Sequence, residues 1–169
     1  FLNNASKSCF QFIIQSNFGQ ILTFLIKIMS NSPPNCDLKS DWEPHIASQI
    51  CLQSILSEIS DCLSEDESTS SEFVNLINGI ATAAAPQLQS TTFSERATSL
   101  QVFQLLIIFF DNSYFIPIKT IVLDLLLDPT PRVRNASIVC LTEYVKSIPN
   151  HRCNDEQYDI LNDIYQASK

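Results

Sequence analysis

The chain has 169 residues, of which 45% are hydrophobic and 17% charged, with a net charge of −8 and only two glycines. Such a balance rules against a disordered tail, because there is ample apolar surface to bury. The acid surplus opposes a nucleic-acid backbone, and the glycine shortage opposes both glycine-cradled phosphate sites and all-β folds with tight turns at positive φ.

Apolar residues recur at intervals of three and four almost throughout, the period of a helix with one buried face, and predict eight helices and no strand. The first two span 4–16 and 18–30, and the second directs Ile21, Leu25 and Ile28 inward. Pro33-Pro34 then breaks the pattern, since proline lacks an amide donor and pushes its predecessor out of the helical region. A third helix starts near Trp42, carries the stripe Leu52, Ile55, Leu56, Ile59 and Leu63, and stops at the polar run Ser64 to Ser71. The fourth, 72–88, buries Phe73, Leu76, Ile77, Ile80, Ala84 and Leu88, with Pro86 kinking or ending it.

Ser94 is the expected N-cap of the fifth helix, its hydroxyl accepting from a first-turn amide. Leu100, Phe103, Leu106, Ile107 and Phe110 form its core face, and Val102, Leu105 and Phe109 widen the apolar arc past half the circumference. A helix that apolar is covered on two sides. The sixth begins at Pro117, places Ile118, Ile121, Val122, Leu125 and Leu126 inward, and ends at Asp128-Pro129. Thr130 caps the seventh, which carries Pro131 in its first turn and runs to about Ser147 with Val133, Ala136, Cys140, Leu141 and Tyr144 inward. An eighth, 154–167, uses Tyr158, Leu161, Ile164 and Tyr165 and suits a terminal cap.

The longest apolar stretches, Ile21 to Met29 and Val102 to Phe110, run about half the length needed to cross a bilayer, so no membrane contact is expected. Six cysteines show no metal-ligand spacing, and Cys51, Cys62 and Cys140 fall within helical patterns as small hydrophobes. Free thiols point to a reducing, intracellular compartment, the cytoplasm or the nucleus. His45 and His151 stand alone, and no serine has the glycines of a nucleophile elbow. Neither a catalytic constellation nor a cofactor or metal site is therefore expected. The start at Phe1 suggests that residues 1–169 form one helical-repeat segment cut from a longer protein.

Aligning Arg96-Ala97 with Arg134 and Ala136 gives a period of about 38 to 39 residues, which fades one period further back. The stretch Ile116 to Ile148, with Pro117, the turn Leu125-Leu126-Leu127-Asp128-Pro129, then Val133-Arg134, Ala136 and Leu141, resembles a HEAT repeat. Its neighbour, Phe73 to Phe110, is similar more loosely, because it lacks the Asp-Pro turn and the valine before its arginine. The resemblance implies an all-α solenoid of antiparallel helix pairs, of HEAT or armadillo type, in which Asp128 and Arg134 hold a ladder of ion pairs between neighbouring repeats. It further implies a non-enzymatic scaffold in a larger intracellular complex.

The partner expected is a protein: a basic segment drawn to the negative charge, or an amphipathic helix laid in a groove between repeats. Val102, Leu105 and Phe109 on the edge of the fifth helix, with Asn135, Thr142 and Lys146 on the outer side of the seventh, are the candidate groove residues. The alternative is a regulatory helical segment of a large multidomain enzyme, such as a lipid-kinase-like protein kinase. Ser64 and Thr69 lie in an acid-rich run of the kind favoured by acidophilic kinases, which also reads as a solvated loop between helices.

Overall fold

The structure is a computed structural model that describes residues 19–30, 43–65, 70–148 and 162. Among the described residues all regular structure is helical, with no strand. Six α-helices run in chain order as α1 (19–30), α2 (Glu43–Glu65), α3 (Ser70–Ala84), α4 (Phe93–Phe109), α5 (Lys119–Asp124) and α6 (Pro131–Ser147). Short 3-10 turns at Ala85–Gln89, Asn112–Tyr114, Ile116–Ile118 and Leu125–Leu127 link the later ones. The helix expected at 4–16 lies outside the described residues, as does the one at 154–167 apart from the helical Asn162.

In α1 the buried stripe is Leu22, Leu25, Ile26 and Met29. Ile21 and Ile28, expected inside, are half-buried at its margins, since a four-residue stripe at helical spacing centres on one line. Leu52, Leu56 and Ile59 of α2 are fully buried, as their spacing requires. The expected helix 72–88 divides at Ala84, and Pro86 sits in the 3-10 turn beyond it, where a missing amide donor costs no interior hydrogen bond. Leu88 still reaches the core from that turn. The segment expected as one helix from Pro117 to Asp128 is instead a 3-10 turn, a six-residue α5 and a second 3-10 turn.

The N-cap of α4 is Thr92, at φ −86° and ψ 117°, and not Ser94, which is buried in the first turn. The Thr92 carbonyl accepts from the Arg96 amide at 3.2 Å, so the helical ladder begins two residues before Ser94. Thr130 is the N-cap residue of α6 with nearly the same backbone, φ −89° and ψ 119°, and neither threonine makes a side-chain capping hydrogen bond. The Thr130 carbonyl accepts from the amides of Val133 and Arg134 at 3.0 and 3.2 Å.

Helix α4 lies at the centre. It touches α2, α3 and α6 together with two of the 3-10 turns, and its buried residues Leu100, Val102, Phe103, Leu105, Leu106 and Ile107 surround most of its axis. That is the double coverage its wide apolar arc demands. The buried apolar side chains of α1 to α6 form one connected cluster. Phe115 stacks on Tyr144 with ring centroids 4.1 Å apart, fixing the turn before α5 against α6. No described residue has positive φ, so every described turn is built from conformations open to ordinary L residues.

Candidate functional site

Two turns with matching hydrogen bonds lead into α4 and α6. Ser99 Oγ donates to the Ala84 carbonyl at 2.6 Å, and Ser137 Oγ donates to the Val122 carbonyl at 2.5 Å. Arg96 Nη1 donates to the carbonyls of Ser90 and Thr91 at 2.7 and 3.1 Å. Arg134 Nη1 does the same to Asp128 and Pro129, at 2.7 and 3.0 Å. In every case the second residue stands 38 positions after its counterpart, as Arg134 does after Arg96 and Val122 after Ala84. The recurrence is therefore one of contacts as well as of residue types.

The seam between the two units is an ion pair. Arg96 Nε lies 2.8 Å from Asp128 Oδ2, and Arg96 Nη2 lies 2.8 Å from the same oxygen and 3.1 Å from Oδ1. Both side chains are withdrawn from solvent, at 12% and 5% exposure. Asp128 Oδ1 also accepts from the Thr130 amide at 2.8 Å, placing the carboxylate at the positive end of the α6 dipole. The planar guanidinium fork suits this carboxylate, and the backbone amide occupies a further lone pair.

The cation facing Asp128 is thus Arg96 of the preceding unit, a pairing between units of the kind the expected ladder calls for, and Arg134 is not the partner of Asp128. Arg134 serves the backbone of its own turn, because its position relative to Asp128 repeats that of Arg96 relative to Ser90. Ser90 takes the aspartate's place in the first unit, accepting from the Thr92 amide at 3.0 Å and donating to Glu95 Oε2.

The groove residues fall into two groups. Val102 and Leu105 are buried, at 0% and 3% exposure, and the coverage of α4 by its neighbours withdraws them from any partner. Phe109 is half-buried and borders a cleft of about 360 Å³ with Phe110, Tyr114 and Ser60. Polar groups there are turned inward: Ser60 Oγ donates to the Phe109 carbonyl at 2.7 Å, and the Tyr114 hydroxyl to Asn78 Oδ1 at 3.0 Å. Burial and then the neighbouring Asp111 charge raise the Tyr114 pKa, so the phenol stays protonated.

Asn135, Thr142 and Lys146 are all exposed and share one side of α6. Ile138 and Val139 fill the gaps in that line, at 52% and 41% exposure. The line 135, 138, 139, 142, 146 keeps helical spacing, a signal present in the sequence but masked by the helix's second, buried apolar stripe. Thr142 Oγ1 donates to the Ile138 carbonyl at 2.8 Å, and Lys146 Nζ lies 2.9 Å from Glu143 Oε1.

Cys140 is buried, and desolvation, helped by the Glu143 charge, pushes its thiol up to about 12. Both Cys140 and Cys51 are free thiols, the first a packed hydrophobe and the second exposed. Among the described residues no three His, Cys, Asp or Glu side chains gather in a way that holds a metal ion. No helix among them is long and apolar enough to cross a membrane. Ser64 lies in the last turn of α2, and Thr69 lies outside the described residues.

No protein-family model, curated protein or solved structure matches the chain. The local geometry is therefore the ground for any reading of what the chain does.

Proposed function

We propose that the chain is a segment of a HEAT-type α-solenoid and acts as a non-enzymatic protein-interaction scaffold within a larger intracellular complex. The observation that carries this reading is the 38-residue recurrence of polar contacts, from Ser99 and Arg96 to Ser137 and Arg134, tied by the Arg96–Asp128 pair. Stacked helical units of this kind bury a shared core between neighbours and leave long outer faces uncovered, which suits binding along a surface rather than chemistry in a cavity. The inward-turned polar groups of the cleft beside Phe109 accord with that division.

Affinity capture with the 169-residue chain, followed by quantitative mass spectrometry, tests the scaffold role. Proteins retained reproducibly, and at amounts comparable to the bait, are the expected result. Retention no greater than on an unloaded matrix would overturn it.

A further inference from the structure

We infer that the cleft at the C-terminal end of α4 is a recognition site for a trimethylated lysine side chain of a partner protein. This inference rests on the scaffold reading and gives the chemistry of one of its contacts. The cleft, of about 360 Å³, falls at the lower end of ligand-sized sites, which run from about 300 to 1,000 Å³. Phe109 and Phe110 from the end of α4 and Tyr114 from the following 3-10 turn line it, all half-buried, together with Val74 and Ile77 of α3. Hydrogen bonds between elements hold these walls in place. Ser60 ties α2 to the Phe109 carbonyl, and Asn78 fixes the Tyr114 hydroxyl on α3. Asp111 is the one charged residue of the lining; it is exposed, and its Oδ1 accepts from the Ser113 amide at 2.9 Å.

The charge of the site calls for a cation. Asp111 supplies a full negative charge, and the end of α4 adds the negative pole of its dipole, with no basic residue in the last turn. Aromatic rings attract a cation through their quadrupole, and three of them line the cleft. No lysine or arginine occurs in α2, α3 or the Asn112–Tyr114 turn, and the arginine of α4, Arg96, is bound to Asp128 far along the helix. These elements therefore bring no cation of their own to the carboxylate. The hydrogen-bond inventory then decides which cation fits. A primary ammonium brings three N–H donors and a guanidinium five, and each demands an acceptor once withdrawn from water. Here the hydroxyls of Ser60 and Tyr114 are directed to Phe109 and Asn78, and one Asp111 oxygen serves Ser113, so the remaining wall is largely hydrocarbon. A trimethylammonium group has no N–H to satisfy and spreads its charge over its methyl groups. It needs ring and aliphatic contact with one counter-charge, which is what this lining provides.

The test titrates the intact chain with Nα-acetyl-trimethyllysine methylamide and follows the backbone amides by NMR. Saturable shifts centred on residues 109–114 are expected. The unmethylated lysine derivative, and a neutral isostere ending in a tert-butyl group, are each expected to bind more weakly by about fivefold or more. Asp111→Asn keeps an oxygen for the Ser113 amide, so its melting curve is expected to match the parent's while its affinity for the probe falls by about fivefold. Absence of saturable shifts overturns the proposal, as does a D111N chain that binds the probe like the parent. Equal binding of the neutral isostere overturns it by showing an apolar pocket only, and equal binding of unmethylated lysine by showing an ordinary ion-pair site. Phosphocholine bound more tightly than the lysine derivative would make a lipid head group the occupant, and so overturns it too. Proteins captured equally by parent and D111N would remove this cleft and leave the scaffold reading standing, whereas probe binding by a chain that retains no protein would remove the scaffold reading and leave the cation site.

Discussion

Removing the Asp128 carboxylate strands the Arg96 guanidinium, 12% exposed, without its counter-ion and leaves the Thr130 amide without its acceptor. Breaking a buried pair from one side costs about 3–5 kcal/mol, so Asp128→Ala is expected to lower the unfolding free energy extrapolated from urea titration by an amount in that range. Asp128→Asn retains an acceptor for Thr130 and falls between mutant and parent in the same titration. Cys140 supplies a pH dependence. Its thiol is held near 12 in the folded chain, whereas an unfolded thiol ionises near 8.5, so between these values the unfolded state binds fewer protons. Stability contributed by Cys140 is complete below the lower value and falls as pH rises towards the higher. Urea titrations from pH 8 to 11 are expected to show a shallower alkaline decline for Cys140→Ala than for the parent. At this scale the sequence revealed Asp128 and the pair of equivalent arginines. It did not reveal which arginine reaches Asp128, because spacing along the chain does not distinguish a contact within a turn from one 32 residues away.

Gly79 is an exposed interior residue of α3, and a Cβ built there meets nothing within 4 Å. Gly79→Ala is therefore expected to stabilise the helix by about 1 kcal/mol through the backbone entropy that glycine loses. That raises the melting temperature by about 2–4 °C, measured by circular dichroism. A helix with one apolar stripe was legible from periodicity, as α2 shows, and so was the buried stripe of α6. What escaped was local geometry, where several short-range solutions compete. Thr92 and Ser94 are both cap-forming residues, and the choice was made by the turn at Ser90, whose hydroxyl accepts from the Thr92 amide. The segment around α5 has an apolar pattern that fits one helix, yet 3-10 turns flank it on both sides. The Ser137 hydroxyl on the Val122 carbonyl ties this short element to α6. The groove expected on α4 failed for a related reason: a wide apolar arc signals heavy coverage, and the covering helices belong to the same chain.

In the molecule as a whole, α4 is the element that α2, α3 and α6 share. Its amides are expected to exchange with solvent deuterium more slowly than those of α1, by at least tenfold, because opening α4 disrupts every one of these contacts. Hydrogen exchange with mass spectrometry reads this directly, and equal rates in the two helices would show that the units open independently. The absence of positive φ among the described residues has a further consequence. A described backbone that demands no achiral residue leaves most of its sites free to change identity, and the burden of keeping its architecture falls on a few hydroxyls, one carboxylate and two guanidinium groups. Distant versions of this chain would be recognised by those polar pegs at their fixed offset, long after their aliphatic residues had drifted beyond alignment.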